Sequence, residues 1–355
     1  MGRGQLGSLK PTAAQGAPKG RGELRDQPRR SRSRKPPHRL RRAVLSALIA
    51  SAIALPLSGA AEPRIPAPAP AALDAPTRTT LDKIYAANRA NAAKAAQMAA
   101  AHGAGRRAAA DRRLAHPTRQ LLTFDGRGPG LVTEVLGDLA QATRIAVLVP
   151  GSDTSLDTYG RFHTAALNLH QRLTREAPPG TRTAVVAWLG YETPGTISTT
   201  VATTERAEQA APQLGALIRD VRHITDPGPR ISLLCHSYGS VVCAQAAPAT
   251  GDDVHDIALL GSPGTGADTA AALRTSARVW AARGDNDWVE NVPHLSADLF
   301  GTTVGFGTDP VSPAFGARVF AAGNGGHSDY FEPGSLSLTN LTRIVLGESE
   351  AVTHD

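Results

Sequence analysis

The chain has 355 residues, long enough for one large hydrophobic core with extensions, and its apolar content of 41% is ordinary for a globular protein. Its net charge of +7 is unevenly spread, because residues 1–42 hold thirteen Lys or Arg and only two acids, which leaves −4 for the rest. This mildly acidic remainder has no basic groove with interleaved aromatic residues, so we predict no nucleic-acid partner for it.

The N-terminal sequence predicts export. Residues 1–42 are basic and rich in Pro and Gly, which is typical of a disordered head, and residues 43–61 form an apolar run without a single charge. Arg41 and Arg42 directly before this run, and small residues near its end, favour a signal peptide. The length of the run equally allows an uncleaved membrane anchor. Either interpretation leaves the rest of the chain outside the cytoplasm, secreted or associated with the membrane through its N-terminus.

A linker and a helical arm are expected next. Residues 62–76 are rich in Pro and Ala, which favours an extended linker. Residues 77–116 are rich in Ala and Arg, and they predict a long helix at 81–103 and a short one before Pro117. This arm carries no residues suggestive of chemistry, and we expect it either to pack on the following domain or to act as a spacer.

Residues 117–348 alternate apolar strands with amphipathic helices, which predicts an α/β domain with a mostly parallel sheet covered by helices on both faces. A stretch beginning at Leu121 is expected to add an antiparallel edge hairpin, and a final helix is expected near residue 347. The predicted parallel strands are 144–150, 183–190, 231–235, 256–264, 277–285 and 317–326.

The segment ISLLCHSYGSVVC, residues 231–243, contains a candidate nucleophile, Ser237. A buried strand, a tight turn and a helix of small residues are the context of a nucleophile elbow, usually spelled G-x-S-x-G. Cys235 occupies the first glycine position, where a small residue is needed, while Gly239 keeps the second.

An acid and a histidine follow two later strands. The sequence GDND supplies Asp287 and Asp285 after the fifth strand, and GNGGHSDY supplies His327 after the sixth. Ligands of open α/β sheets gather outside the carboxyl ends of the strands, and the order Ser, acid, His is that of α/β-hydrolases. We predict the triad Ser237, Asp287 and His327, with Asp285 as the alternative acid.

These residue types suit acyl transfer, because a serine hydroxyl attacks efficiently only when a nearby base takes its proton. His327 is the predicted base, and an Asp would fix its tautomer. The oxyanion donors are expected to be the backbone N–H groups of Tyr238 and Ser152. His236 is a less suitable base, because consecutive side chains diverge at a tight turn.

Neither metal nor cofactor is predicted. No His, Cys, Asp or Glu residues have metal-ligand spacing, and the glycine-rich segments lack a phosphate-binding fingerprint. The two cysteines, Cys235 and Cys243, are eight residues apart across the strand–turn–helix. We expect them to be small packing residues and not a disulfide.

The segments GDLAQATRIAVLVPG, VVAWLGYETP, LLCHSYGS, LLGSPG and GHSDY resemble an actinobacterial α/β-hydrolase family of unknown function. This resemblance covers residues 121–347 and implies the serine-hydrolase fold, with Ser237 and His327 in the positions of nucleophile and base. It supplies no substrate.

The sequence therefore predicts a serine hydrolase with no cofactor that acts on a small-molecule or lipid-like acyl substrate, an ester by preference. Two alternatives remain open: a peptidase or amidase using the same triad, and a binding module that keeps the fold without catalysis. About a dozen residues, 265–276, separate the fourth predicted strand from the fifth, so no large cap domain is expected there. The segment 288–316 is the expected source of one wall of the site.

Overall fold

The computed structural model describes residues 65–195, 203–225, 228–292, 297–299, 302–304 and 306–354. The predicted basic head at 1–42 and the apolar run at 43–61 lie outside these residues. Among the helices of the described residues, none is both long enough and apolar enough to cross a membrane.

The helices and strands alternate along the chain as the apolar pattern predicts. The helices are α1 (Leu81–Ala101), α2 (Gly105–Leu114), α3 (Tyr159–Glu176), α4 (Glu205–Ile224), α5 (Gly239–Thr250) and α6 (Leu336–Leu346). The strands are β1 (Gln120–Asp125), β2 (Leu131–Gly137), β3 (Arg144–Val149), β4 (Thr183–Leu189), β5 (Arg230–His236), β6 (Val254–Leu260), β7 (Arg278–Ala282), β8 (Ala297–Leu299), β9 (Thr302–Val304) and β10 (Arg318–Val319).

Eight of these strands form one sheet in the order β1-β2-β4-β3-β5-β6-β7-β10. At one edge, β1 and β2 form an antiparallel hairpin, and β2 pairs antiparallel with β4. The remaining neighbours in the sheet, in the order β4-β3-β5-β6-β7-β10, are all parallel. This arrangement is the α/β-hydrolase fold, so the predicted fold class and the edge hairpin are confirmed. The two short strands β8 and β9 pair separately.

Side chains alternate between two layers of core, because successive residues of a strand point to opposite faces. On β3, Ile145, Val147 and Val149 pack with α4 and α5, while Ala146 and Leu148 pack with α3 and α6. Both faces of the sheet are therefore covered, which explains why the parallel strands are apolar throughout.

The N-terminal helices pack on the hairpin edge of the sheet. Alanines of α1 such as Ala92 and Ala95 are buried against β1 and β2, and their small size allows close approach. The Asn88 amide donates to the Leu121 and Leu122 carbonyls. Buried Arg107 of α2 donates to the backbone of the β1–β2 turn and to Asp157. Of the two predicted roles, packing on the domain or acting as a spacer, the arm therefore has the first.

The sixth parallel strand is shorter than predicted. β10 covers only two residues, whereas the prediction was 317–326. The last backbone hydrogen bond to β7 in this segment runs from the Phe320 N–H to the Ala281 carbonyl, and beyond it the chain turns away from β7. The next residue, Ala321, instead donates to Thr353 near the C-terminus. The remainder of the predicted strand is therefore a loop, and this loop carries His327.

The prediction that the cysteines are separate packing residues is wrong, because Cys235 and Cys243 form a disulfide. Cys235 lies near the end of β5 and Cys243 lies in the second turn of α5. The tight turn between them folds α5 back along β5, which brings the two Cα atoms to 6.4 Å despite eight residues of separation. That distance is within the normal range for a disulfide.

Candidate active site

Ser237 lies in a strained turn between β5 and α5. Its φ angle is +53°, one of three positive values among non-glycine residues in the described part of the chain. Such a conformation costs an L-residue about 1–2 kcal/mol, so the surrounding structure must hold it. The Ser237 N–H donates to the Leu260 carbonyl at 2.8 Å, which ties the turn to the end of β6. This is the geometry of a nucleophile elbow.

Two glycines allow the elbow to form. A Cβ atom at Gly239 would lie 2.6 Å from the Val149 and Pro150 carbonyl oxygens, so only glycine lets α5 begin so close to β3. A Cβ atom at Gly151 would lie 2.5 Å from the Cβ of Ser237. The loop after β3 is therefore packed directly against the candidate nucleophile, as the predicted oxyanion site requires.

The predicted oxyanion donors are two backbone N–H groups next to the elbow. The backbone N–H groups of Ser152 and Tyr238 make no hydrogen bond to any described residue. Ser152 follows Gly151 and Tyr238 follows Ser237, so both donors adjoin the elbow. The Tyr238 side chain points into the core, where its hydroxyl donates to the Thr203 carbonyl at 2.8 Å. Burial raises the pKa of this phenol to about 12, so it stays protonated.

His327 and Asp287 form a hydrogen-bonded pair. The Nδ1 atom of His327 lies 2.9 Å from Oδ1 and 3.1 Å from Oδ2 of Asp287. Because a carboxylate accepts, Nδ1 carries the proton and Nε2 is left as the basic nitrogen. The Asp287 carboxylate is fully buried, whereas the imidazole keeps some exposure to solvent. This arrangement suits an acid that orients a histidine base.

Two further groups hold the Asp287 carboxylate. The Tyr330 hydroxyl donates to Oδ2 at 2.5 Å, and the Val289 N–H donates to Oδ1 at 2.9 Å. Burial alone raises the pKa of Asp287, but the hydrogen bonds from His327, Tyr330 and Val289 outweigh it and leave this pKa below its ordinary value. Burial and the Asp287 charge both raise the pKa of Tyr330. Asp287 is therefore ionised and Tyr330 protonated near neutral pH.

The alternative acid, Asp285, lies apart from the histidine. It is exposed, and its backbone N–H donates to the Gly323 carbonyl in the turn after β7. Of the two acids in GDND, only Asp287 contacts the His327 ring.

His236 contacts the histidine loop through its side chain. Its Nε2 donates to the backbone carbonyl of His327 at 2.6 Å, and the two rings lie 4.7 Å apart between centroids. Burial, assisted by the neighbouring His327, lowers the pKa of His236 to about 4, so this ring is neutral at pH 7. With its donor engaged by a carbonyl, His236 supports the loop and is a poor candidate for the base.

The elbow serine and the imidazole lie at the same rim without a direct hydrogen bond. Both lie close to the end of β6. The Leu260 carbonyl accepts a hydrogen bond from the Ser237 N–H, and a Cβ atom at the next residue, Gly261, would lie 3.0 Å from Nδ1 of His327. Among the described residues, the Ser237 hydroxyl makes no hydrogen bond to His327. Such catalytic contacts often tighten only when substrate binds.

An apolar surface borders the histidine. Trp288 is 50% exposed and its ring centroid lies 4.7 Å from that of His327. Leu336 is 38% exposed and lies beside Gly323 of the same loop. These are the two large apolar side chains most exposed to solvent in the described chain. Trp288 begins the predicted wall segment 288–316. Another residue of that segment, Phe306, packs edge-on against Tyr238, with 5.9 Å between the ring centroids.

Sequence reasoning missed two contributors to the site, and each had a weak signal. Tyr330 ends the GHSDY segment, three residues after the histidine, and Gly261 stands in LLGSPG directly after a strand. Trp288 was predicted only as the first residue of the wall segment, and its contact with the His327 ring was not foreseen. In the described residues no cluster of three or more His, Cys, Asp or Glu could hold a metal ion.

Residues 125–297 match a family model described as alpha/beta hydrolase. An uncharacterized protein of Mycobacterium tuberculosis is 31% identical over 263 residues, which cover 66% of this chain and 39% of that protein. The chain thus spans about two fifths of the length of this relative. An uncharacterized protein of Mycobacterium bovis is 28% identical over 205 residues, covering 54% of this chain and 76% of its own.

Solved structures with a similar arrangement include esterase PE8, with a TM-score of 0.41 and 19% identity, covering 61% of this chain and 97% of that one. A dienelactone hydrolase from Anabaena variabilis has a TM-score of 0.41 and 14% identity, covering 63% of this chain and 93% of its own. The chain resembles the α/β-hydrolase family in sequence and has its fold.

Proposed function

We propose that this protein, which has the α/β-hydrolase fold and matches that family over residues 125–297, is a serine hydrolase acting on apolar carboxylic esters. The observation that carries the proposal is the buried Asp287 carboxylate bound to Nδ1 of His327 at the rim that also holds the strained Ser237. An α/β-hydrolase uses this combination of groups for acyl transfer.

In the acylation step, the Ser237 oxygen attacks the ester carbonyl carbon while Nε2 of His327 accepts the hydroxyl proton. The charge that develops on the carbonyl oxygen is stabilised by the free N–H groups of Ser152 and Tyr238. The C–O bond to the alcohol then breaks, and the imidazolium returns the proton to the leaving oxygen. The product of this half-reaction is an ester between the acyl group and Ser237.

In the deacylation step, water attacks the same carbonyl carbon and His327 takes its proton. The C–O bond to Ser237 breaks, the proton passes back to the serine oxygen, and the free acid leaves. Asp287 holds the imidazole in one tautomer and stabilises its cationic form in both steps.

The exposed tryptophan supports an apolar acyl or alcohol group in the substrate. Trp288 lies against His327 and offers an aromatic face beside the reacting centre, where an apolar chain would remove this surface from water. Leu336, beside Gly323 of the loop that carries His327, is a second exposed apolar side chain.

The disulfide supports the export that the N-terminal sequence predicts. Stable disulfides are typical of proteins outside the cytoplasm. The two cysteines of the bridge, Cys235 and Cys243, lie on either side of the elbow in the chain. An oxidising compartment would keep this disulfide formed.

Labelling of the purified full chain with a fluorophosphonate probe tests the catalytic assignment. We expect one modified residue, Ser237, by mass spectrometry, and no labelling of Ser237→Ala. Absence of labelling in the folded wild-type protein would favour a binding module that retains the fold. Labelling at another serine would refute the assignment of the nucleophile.

A panel of p-nitrophenyl esters of increasing acyl length, run beside peptide anilides, tests the substrate class. We expect ester cleavage with kcat/KM rising with acyl length, and a loss of this rise in Trp288→Ala with little change for the acetate ester. Faster cleavage of anilides than of esters would instead indicate an amidase.

A further inference from the structure

A cationic cavity lies at the hairpin edge of the sheet, apart from the candidate active site. Its volume is about 530 Å³, within the usual size of a small-molecule site. We call it the arginine pocket; it is lined by residues of the last turn of α2, the α2–β1 connection and α3, among them Arg112, Arg113, His116, Thr118, Arg119 and His163.

A buried acid outside the lining of the arginine pocket holds two of its lining side chains. The Glu134 carboxylate, on β2, accepts from both Nε and Nη2 of Arg119 and from the Tyr159 hydroxyl at 2.9 Å. It also contacts Nδ1 of His163 at 3.0 Å. Glu134 therefore neutralises Arg119 and orients both cavity-lining side chains. The Nη1 atom of Arg119 and the Nε2 atom of His163 make no hydrogen bond to any described residue.

The rim carries charge that nothing in the described chain balances. Arg112 and Arg113 are exposed and form no ion pair with any described acid. Both lie in the last turn of α2, where the helix dipole favours cations, and this effect alone could explain the presence of one arginine. Both line the same cavity as Arg119, however, so three guanidinium groups border it against a single carboxylate. The chain outside residues 1–42 has a net negative charge, so this local excess of positive charge differs from the rest of that part.

The connection between α2 and β1 adds neutral donors. The Thr118 N–H and hydroxyl both contact Nδ1 of His116, at 3.4 and 2.9 Å. Since a backbone N–H only donates, Nδ1 is the acceptor and the ring proton is on Nε2. The pocket therefore offers an imidazole N–H beside its guanidinium groups.

We propose that the arginine pocket binds a phosphate group, carried either by a small solute or by a lipid headgroup. Guanidinium groups match phosphate oxygens with paired hydrogen bonds, and several of them around one cavity favour a dianion. The site is separate from the hydrolase centre, because β4 and β3 lie between β2 and β5, a span of about 14 Å at the usual strand spacing.

Calorimetric titration of the full chain with inorganic phosphate and with glycerol phosphate tests the proposal. The pocket variant is Arg112→Gln with Arg113→Gln. The matched control is Arg106→Gln with Arg161→Gln, which removes the same charge from exposed positions of α2 and α3 outside the cavity lining. Exposed substitutions of this kind seldom alter stability appreciably, so both variants should fold.

We expect the pocket variant to bind phosphate at least tenfold more weakly than wild type, and the control to stay within twofold. Ser237→Ala should bind like wild type, which separates this site from the proposed catalysis. Equal binding by the pocket and control variants, or no wild-type binding, would overturn the proposal.

Vesicle sedimentation distinguishes the two sources. Sedimentation with vesicles of phosphatidylcholine and 10% phosphatidic acid is compared among the wild type, the pocket variant and the control variant. The comparison is needed because all three carry the basic N-terminal head, which alone attracts anionic surfaces. Weaker sedimentation of the pocket variant than of the control indicates a lipid headgroup. Equal sedimentation, together with the phosphate difference, indicates a soluble phosphate ester.

Discussion

A single added methyl group should disable the candidate triad although the substitution removes no polar group. Gly261 follows β6 with a φ angle of +52°, and a Cβ atom there would lie 2.5 Å from Oδ2 of Asp287 and 3.0 Å from both Nδ1 of His327 and the Tyr330 hydroxyl. In Gly261→Ala the carboxylate must therefore move or the turn must open.

The size of the effect follows from these distances. Ordinary contact begins at 3.4 Å, so the carboxylate has to retreat by about 0.9 Å, the difference from 2.5 Å. A displacement of about 1 Å in catalytic geometry costs on the order of 100-fold in rate, which corresponds to about 2.7 kcal/mol of activation free energy. The positive φ adds a separate stability cost of about 1–2 kcal/mol.

A matched variant separates these two effects. Gly128, in the β1–β2 turn, has a φ angle of +58° and open space around its Cα, so Gly128→Ala carries the backbone strain without the collision. We expect kcat/KM on p-nitrophenyl esters to fall about 100-fold in Gly261→Ala and to be unchanged in Gly128→Ala. Urea unfolding measures the stability loss of each.

The reasoning would be refuted by a folded Gly261→Ala protein with wild-type kcat/KM. Such a result would mean that the contact between Asp287 and His327 does not contribute to the rate. An equal loss of activity in Gly128→Ala would attribute the effect to strain in the fold.

Three other substitutions have expected outcomes. Tyr330→Phe removes a hydrogen bond to the charged Asp287, so the free energy of unfolding in urea should fall by about 1.5–3 kcal/mol and kcat should fall while KM is retained. Replacing both Cys235 and Cys243 by Ala should lower the unfolding free energy by about 2.5 kcal/mol, from the loop-entropy relation for this short separation. Asp111→Asn should be more stable than wild type at pH 8, because burial raises the pKa of Asp111 to about 7.

The controls for these predictions are direct. Dithiothreitol should destabilise the wild type but not the double cysteine variant, and equal sensitivity of both would contradict the assigned bridge. For Asp111, the folded state holds a proton that the unfolded chain releases between about pH 4 and pH 7, so wild-type stability should fall as pH rises through this range. A wild-type stability that instead rises there, with no change of slope in Asp111→Asn, would contradict the buried protonated acid. Unchanged kcat in Tyr330→Phe would show that Tyr330 is structural only.

Much of the fold could be predicted from local patterns. Apolar runs of five to seven residues separated by amphipathic helices specify a parallel sheet, since only strands buried on both faces lack alternation. The elbow also has a local signature, because a buried strand, a serine and a glycine-led helix are contiguous in the chain. The end of β10 could not be predicted in this way, since Ala321 turns toward Thr353, a partner 32 residues away.

The amino-acid sequence by itself determined the succession of strands and helices along the chain and the residue types that follow the strands, because periodicity and turn chemistry act within a few residues. The tertiary structure pairs His327 with Asp287, the acid that the sequence already preferred to Asp285. Only the tertiary structure set Tyr330 on that carboxylate and joined Cys235 to Cys243. These pairings depend on how far a turn brings separate segments together in space, and spacing along the chain does not encode that distance.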